Sequence, residues 1–163
     1  MVTNFMTATE DPQVGNLATP LNSSAATRTY INNLPAYREG LSPFSRGLEV
    51  GVAHGYWFYG PFAVLGPLRA TDYGPIAGAI AAVSFVFILT IAMSIYNAAG
   101  PGGATKTLTT PNPPEAFSTR EGWSNFASGF LIGGCSGAFF AYLLCQTPHL
   151  LPLQNIASGV WSS

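Results

Sequence analysis

Three stretches of this chain are apolar for long enough to cross a bilayer, and polar, turn-forming sequence separates them. The first runs from Gly47 to Leu65, 19 residues or about 28 Å of helix. The second, Ile76 to Ala98, has 23 residues and no charge, and the third runs from Ser124 to Cys145. The pattern predicts an all-α integral membrane protein with three transmembrane helices, at about 47–65, 76–98 and 124–145. Tyr56, Trp57, Phe58, Tyr59 and Phe62 crowd the far half of the first span, where an aromatic belt is expected. Pro61 is expected to kink or end that helix.

The connections differ in character. GPLRATDYGP is a short, glycine- and proline-rich return between the first two spans, whereas AGPGGATKTLTTPNPPEAFSTREGW is long and stiffened by Pro111, Pro113 and Pro114. Ser118 and Glu121 have capping-box spacing and predict the start of the third helix. Residues 1–45 form a polar, extended N-terminal surface segment with one short helix expected at Ala25–Asn32. Its last part, LPAYREGLSPF, suits a path along lipid headgroups. Residues 46–147 make up the membrane domain. The tail, 148–163, is apolar but broken by Pro148 and Pro152, and is expected to lie along the membrane surface or on a neighbour.

Composition agrees with this layout. Only 8% of the 163 residues are charged while 48% are apolar, too little charge for an ordinary soluble domain. The net charge of −1 offers no surface for nucleic acid. Arg28, Arg38 and Arg46 precede the first span, Lys106 and Arg120 lie between the second and third, and Arg69 alone lies between the first and second. Five cations against one place the N-terminus on the cytoplasmic or stromal side and the C-terminus opposite. MVTNFMTATEDPQVG has neither a basic start nor an apolar core, so no cleaved secretory signal is expected. Cys135 and Cys145 would lie about 15 Å apart along one helix, too far for a disulfide.

Two glycine series stand out, Gly47, Gly51, Gly55 in the first span and Gly129, Gly133, Gly137 in the third. Small residues four apart make a flat stripe that admits a neighbouring helix or a flat ring.

The candidate chemistry lies in RGLEVGVAHGYW, residues 46–57. Glu49 and His54 are the ionisable side chains inside the apolar runs, and an ionisable group at that depth calls for a partner. Five residues along a helix is a turn of about 140°, so the two point to different sides and do not easily share one ion. A metal needing one protein ligand fits better, such as the magnesium of a chlorophyll, whose remaining axial position takes a neutral imidazole or a carboxylate oxygen. Simpler alternatives are an interfacial Glu49 and a His54 hydrogen-bonded to a neighbouring helix. A bis-histidine haem, as in an oxidoreductase membrane anchor, needs two imidazoles at one depth, and His54 and His149 lie at opposite ends of the layout. A small transporter would use Glu49 as a lone carboxylate in a cation path, but no second charge continues that path.

Several stretches together resemble a known family. DPQVGNLATP, INNLPAYREGLSPFSRGLEVGVAHGYWFYGPF, LGPLR, PNPPEAF and EGWSNFASGFLIGG resemble subunit XI of the photosystem I reaction centre, in the same order, from about Asp11 to about Ala141. The length and the absence of a transit-like leader are closer to its cyanobacterial members. The resemblance implies a non-catalytic thylakoid membrane subunit docked on the photosystem I core subunits and neighbouring small subunits. It further implies bound chlorophyll (chlorophyll a by default), β-carotene and thylakoid lipids, and contact with the same subunit of adjacent monomers. The family's first-helix chlorophyll ligands fall on Glu49 and His54.

Two departures follow. Trimeric members resemble PLRD in the first return loop, where the acidic residue helps hold calcium at the monomer contact. Here the motif is PLRA, and Ala70 offers no oxygen where a hard cation needs one, leaving Asp72 and the Pro67 carbonyl as the remaining candidates. The PNPP loop is similar to that of members found in dimers and tetramers, so the resemblance leaves trimer, dimer and tetramer all open.

Overall fold

A computed structural model describes residues 18–104 and 106–147. Over these residues the chain forms α1 (Ala25–Asn33), α2 (Pro43–Leu65), α3 (Gly74–Ala99) and α4 (Arg120–Cys145), with a 3-10 turn at Glu115–Ser118. The first seventeen residues, Thr105 and the 148–163 tail, including the expected surface course of that tail and His149, lie outside the described residues.

Three of the four helices, α1, α2 and α4, begin at a hydroxyl side chain that accepts from a free N–H of the first turn, whereas α3 begins at Tyr73 without a side-chain cap. Ser24 caps α1 by accepting from Thr27 N at 3.2 Å. Ser42 caps α2 by accepting from Ser45 N at 3.1 Å, and Pro43, which has no N–H to leave unpaired, fills the first turn. The expected Ser118–Glu121 capping box does not form. Thr119 is the cap instead, accepting from Gly122 N at 3.1 Å, because Ser118 is taken up in the preceding 3-10 turn. The three long helices start two to four residues earlier than hydropathy alone placed them, since Ser42 and Thr119 are polar caps of α2 and α4 and Gly74 and Pro75 open α3.

Pro61 does not end α2, which continues to Leu65. Proline disfavours helical geometry in the residue before it by a clash with that residue's Cβ, and Gly60 has none. The aromatic belt is also redistributed: Trp57 is exposed, but Tyr59 is buried at 3% exposure among Ala63, Ala82, Ala138 and Ala141.

The glycine stripes face each other. A Cβ at Gly47, Gly51 or Gly55 would collide with the carbonyls of Phe126, Phe130 or Gly134, and one at Gly129, Gly133 or Gly137 with those of Phe44, Leu48 or Val52. Ascending positions on α2 meet ascending positions on α4, so the two helices run parallel with their backbones in direct contact. The stripes thus serve helix packing, and the flat-ring alternative does not hold for them. α3 runs antiparallel to both: Gly78 packs on Ala63 near the end of α2, and Asn97 Nδ2 donates to Arg120 O at the start of α4.

This topology gathers one end of the bundle. The starts of α2 and α4, the end of α3, α1 and the 100–119 loop lie together, tied by Asn32 Nδ2 donating to Thr109 O at 2.7 Å and Thr109 Oγ1 donating to Asn22 O at 2.9 Å. The 66–73 loop lies at the other end.

Among the described residues two helices, α3 and α4, are long and apolar enough to cross a membrane. α3 presents Ile80, Phe87, Ile88, Ile91 and Ile95 outward, an apolar surface too extensive for ready exposure to water. α2 has the length, 23 residues, but Arg46, Glu49 and four glycines lower its hydropathy.

Candidate functional site

His54 lies on the exposed side of α2 with its ring edge-on to Phe58 and Phe130, at centroid separations of 5.6 and 5.5 Å. Its Nδ1 is 2.7 Å from Val50 O, one turn back on the same helix. A carbonyl oxygen can only accept, so Nδ1 carries the proton and donates. The neutral imidazole is then held as the tautomer whose Nε2 lone pair is free. That is the arrangement a metal-ligating histidine needs. The expected alternative, a hydrogen bond to a neighbouring helix, is replaced by this bond within α2.

Beside the imidazole is an open groove of about 540 Å³, lined by Val50, Leu89, Met93, Tyr96, Trp123, Phe126 and Phe130 as well as His54. α2 supplies the imidazole, while α3 and α4 supply most of the apolar walls. Trp123 is fixed from two sides, by its indole N–H donating to Phe117 O at 2.8 Å and by edge contact with Tyr96 at 5.1 Å. A flat, largely apolar molecule with one coordinating metal matches this combination of walls and donor.

Glu49 faces elsewhere. Its Oε1 accepts from Arg38 Nη2 at 2.5 Å, and both side chains are half-buried. Arg46, buried one turn earlier, donates from Nη1 to Pro35 O and Ala36 O at 3.1 and 3.2 Å. The segment carrying Arg38 is thereby laid over the first turns of α2. The two predicted ligands turn to different partners, as five-residue spacing requires. Glu49 is not a lone carboxylate, which removes the observation that favoured a cation path.

Pro67, Ala70 and Asp72 are exposed in the 66–73 loop. Gly66 O is occupied by Arg69 N and Nη1, and Leu68 O by Thr71 N and Oγ1. Asp72 is the loop's one carboxylate and Arg69 brings a positive charge into it. Calcium takes about six to eight oxygens, and of the two candidate donors Asp72 brings a carboxylate and Pro67 a carbonyl to this loop. Among the described residues no group of three or more histidine, cysteine or acidic side chains forms a metal cluster. Cys135 and Cys145 are free thiols, as their spacing required.

Sequence reasoning pointed to Glu49 and His54 but missed Arg38 as a partner and the aromatic walls at Tyr96, Trp123 and Phe130. Arg38 is separated from Glu49 by a turn whose geometry no periodicity reports. The walls belong to ordinary apolar spans until the helices are packed.

The chain is similar to known proteins over nearly its whole length. A family model described as photosystem I reaction centre subunit XI matches residues 4–150. The photosystem I reaction center subunit XI of Synechococcus elongatus is 58% identical over 153 residues, covering 93% of this chain and 92% of that protein. The protein of the same description from a Picosynechococcus is 62% identical over 135 residues, 83% of this chain and 89% of the relative. That of Prochlorococcus marinus is 51% identical over 160 residues, 97% and 80% respectively.

Proposed function

The chain belongs to the photosystem I reaction centre subunit XI family, and from that premise we propose that it is a non-catalytic subunit of the complex in which α2, α3 and α4 all cross the thylakoid membrane. The subunit holds antenna chlorophyll through axial ligation by His54 Nε2 and by a Glu49 oxygen. Carotenoid and lipid pack on its outward apolar faces, and the same subunit in adjacent monomers meets it as photosystem I associates into trimers or tetramers. The N-terminus faces the stromal or cytoplasmic side and the C-terminus the lumen. In support, Arg28, Arg38, Arg46, Lys106 and Arg120 belong to the elements gathered at one end of the bundle, and Arg69 lies in the loop at the other.

The observation that carries the pigment reading is the 2.7 Å contact of His54 Nδ1 with Val50 O. Val50 O holds the proton on Nδ1, so Nε2 stands free beside an apolar groove. Bound chlorophyll supplies the magnesium and the absorbing ring. The protein orients the imidazole through Val50 and offers Trp123 and Phe130 as groove walls. Stability comes chiefly from packing of helices and pigments, because lipid offers little hydrophobic drive for association.

The test is His54→Leu in the assembled complex. The expected result is the loss of one bound chlorophyll per subunit, read by pigment extraction and by density at the groove. Unchanged pigment content and unchanged density there would overturn the assignment.

A further inference from the structure

We propose that Arg38 is the positioning residue for the Glu49 ligand: its guanidinium holds Oε1 and offsets the carboxylate charge, leaving Oε2 as the oxygen presented to the pigment's metal. The inference rests on the reading of Glu49 as a pigment ligand. Three observations carry it. Arg38 Nη2 donates to Glu49 Oε1 at 2.5 Å, and Oε2 has no hydrogen-bond partner among the described residues. Arg38 is itself held in place, since its backbone N donates to Leu34 O at 2.8 Å and Tyr37 N donates to the same carbonyl at 2.9 Å. Arg46, the other cation at this end of α2, commits Nη1 to Pro35 O and Ala36 O, and so fixes the segment instead of pairing with Glu49.

The physical need is plain. A carboxylate on the metal of a neutral macrocycle leaves a net negative charge in apolar surroundings, and an unpaired charge there is strongly disfavoured. A guanidinium on one oxygen offsets that charge and limits the rotation that would turn the other oxygen away.

The experiment uses purified photosystem I from cells carrying variants of this subunit, with pigment density at His54 as an internal control for assembly. Arg38→Gln is expected to lower pigment occupancy at Glu49 by about tenfold, the order usual when a residue orienting a metal ligand is removed, while the His54 pigment stays. The double variant Arg38→Gln/Glu49→Gln should regain the pigment, because a neutral amide oxygen needs no compensating charge. A merely structural role for Arg38 predicts no such recovery.

If Arg38→Gln prevents assembly, the double variant decides: assembly with pigment at position 49 supports the inference, and assembly without it, or no assembly, overturns it. Unchanged or increased occupancy in Arg38→Gln also overturns it. Glu49→Leu separates this failure from that of the underlying reading. If Glu49→Leu loses the pigment and Arg38→Gln does not, Glu49 remains a ligand and Arg38 is only a tie; if Glu49→Leu keeps it, Glu49 is not a ligand at all.

Discussion

Gly55 of α2 lies directly on the carbonyl of Gly134 of α4, so closely that a single added methyl group has no room. Replacing a helical glycine with alanine ordinarily stabilises a helix by about 0.5–1 kcal/mol. Here the opposing effect is larger, since a new Cβ would force backbone apart from backbone, and overpacking typically costs about 1–3 kcal/mol.

Gly55→Ala and, more severely, Gly55→Leu should therefore lower the thermal stability of the subunit and its retention in the detergent-solubilised complex. Gly102→Ala is the control, because nothing lies within 4 Å of a Cβ there. Retention measured by gel after graded heating checks both; equal behaviour of Gly55→Leu and Gly102→Ala would contradict the parallel contact.

The start of α4 offers a second, sharper comparison. Thr119 Oγ1 accepts from Gly122 N, whereas Ser118 ends the 3-10 turn. Thr119→Ala should cost about 0.5–2 kcal/mol, seen as a lower unfolding midpoint, with Thr119→Ser restoring it. Ser118→Ala should leave the midpoint nearly unchanged. The reverse ranking would mean that the capping box expected from sequence forms after all.

The loop between α2 and α3 bears on assembly. Asp72 shares this loop with Arg69, and the Gly66 and Leu68 carbonyls are already hydrogen-bonded. Chelating calcium from the gently solubilised complex should leave its size unchanged on a native gel. A shift to monomers on chelation, reversed by added calcium, would show that Pro67 and Asp72 join donors from a neighbouring copy.

Much of this architecture was legible from local pattern. Hydropathy located all three long helices within a few residues, and small-residue spacing located the faces of α2 and α4 that meet, because both are properties of a single helix and its period. The candidate chemistry was legible for a similar reason: an ionisable group in an apolar run is conspicuous wherever the chain later places it. Pro61 shows the limit, because the expectation that it could end the helix overlooked the neighbouring Gly60, whose missing Cβ lets the helix pass.

What the amino-acid sequence by itself determined is thus the set of helices, the candidate residues Glu49 and His54, and the fact that five residues on a helix send them apart. Only the tertiary structure decided what each meets. The groove beside His54 exists because α3 and α4 bring Met93, Trp123 and Phe130 to one side of α2, and Arg38 reaches Glu49 because Arg46 folds the preceding segment back. Both depend on how loops return the chain and on helix faces meeting in register. These are non-local relationships, and neither periodicity nor residue type in one segment encodes them.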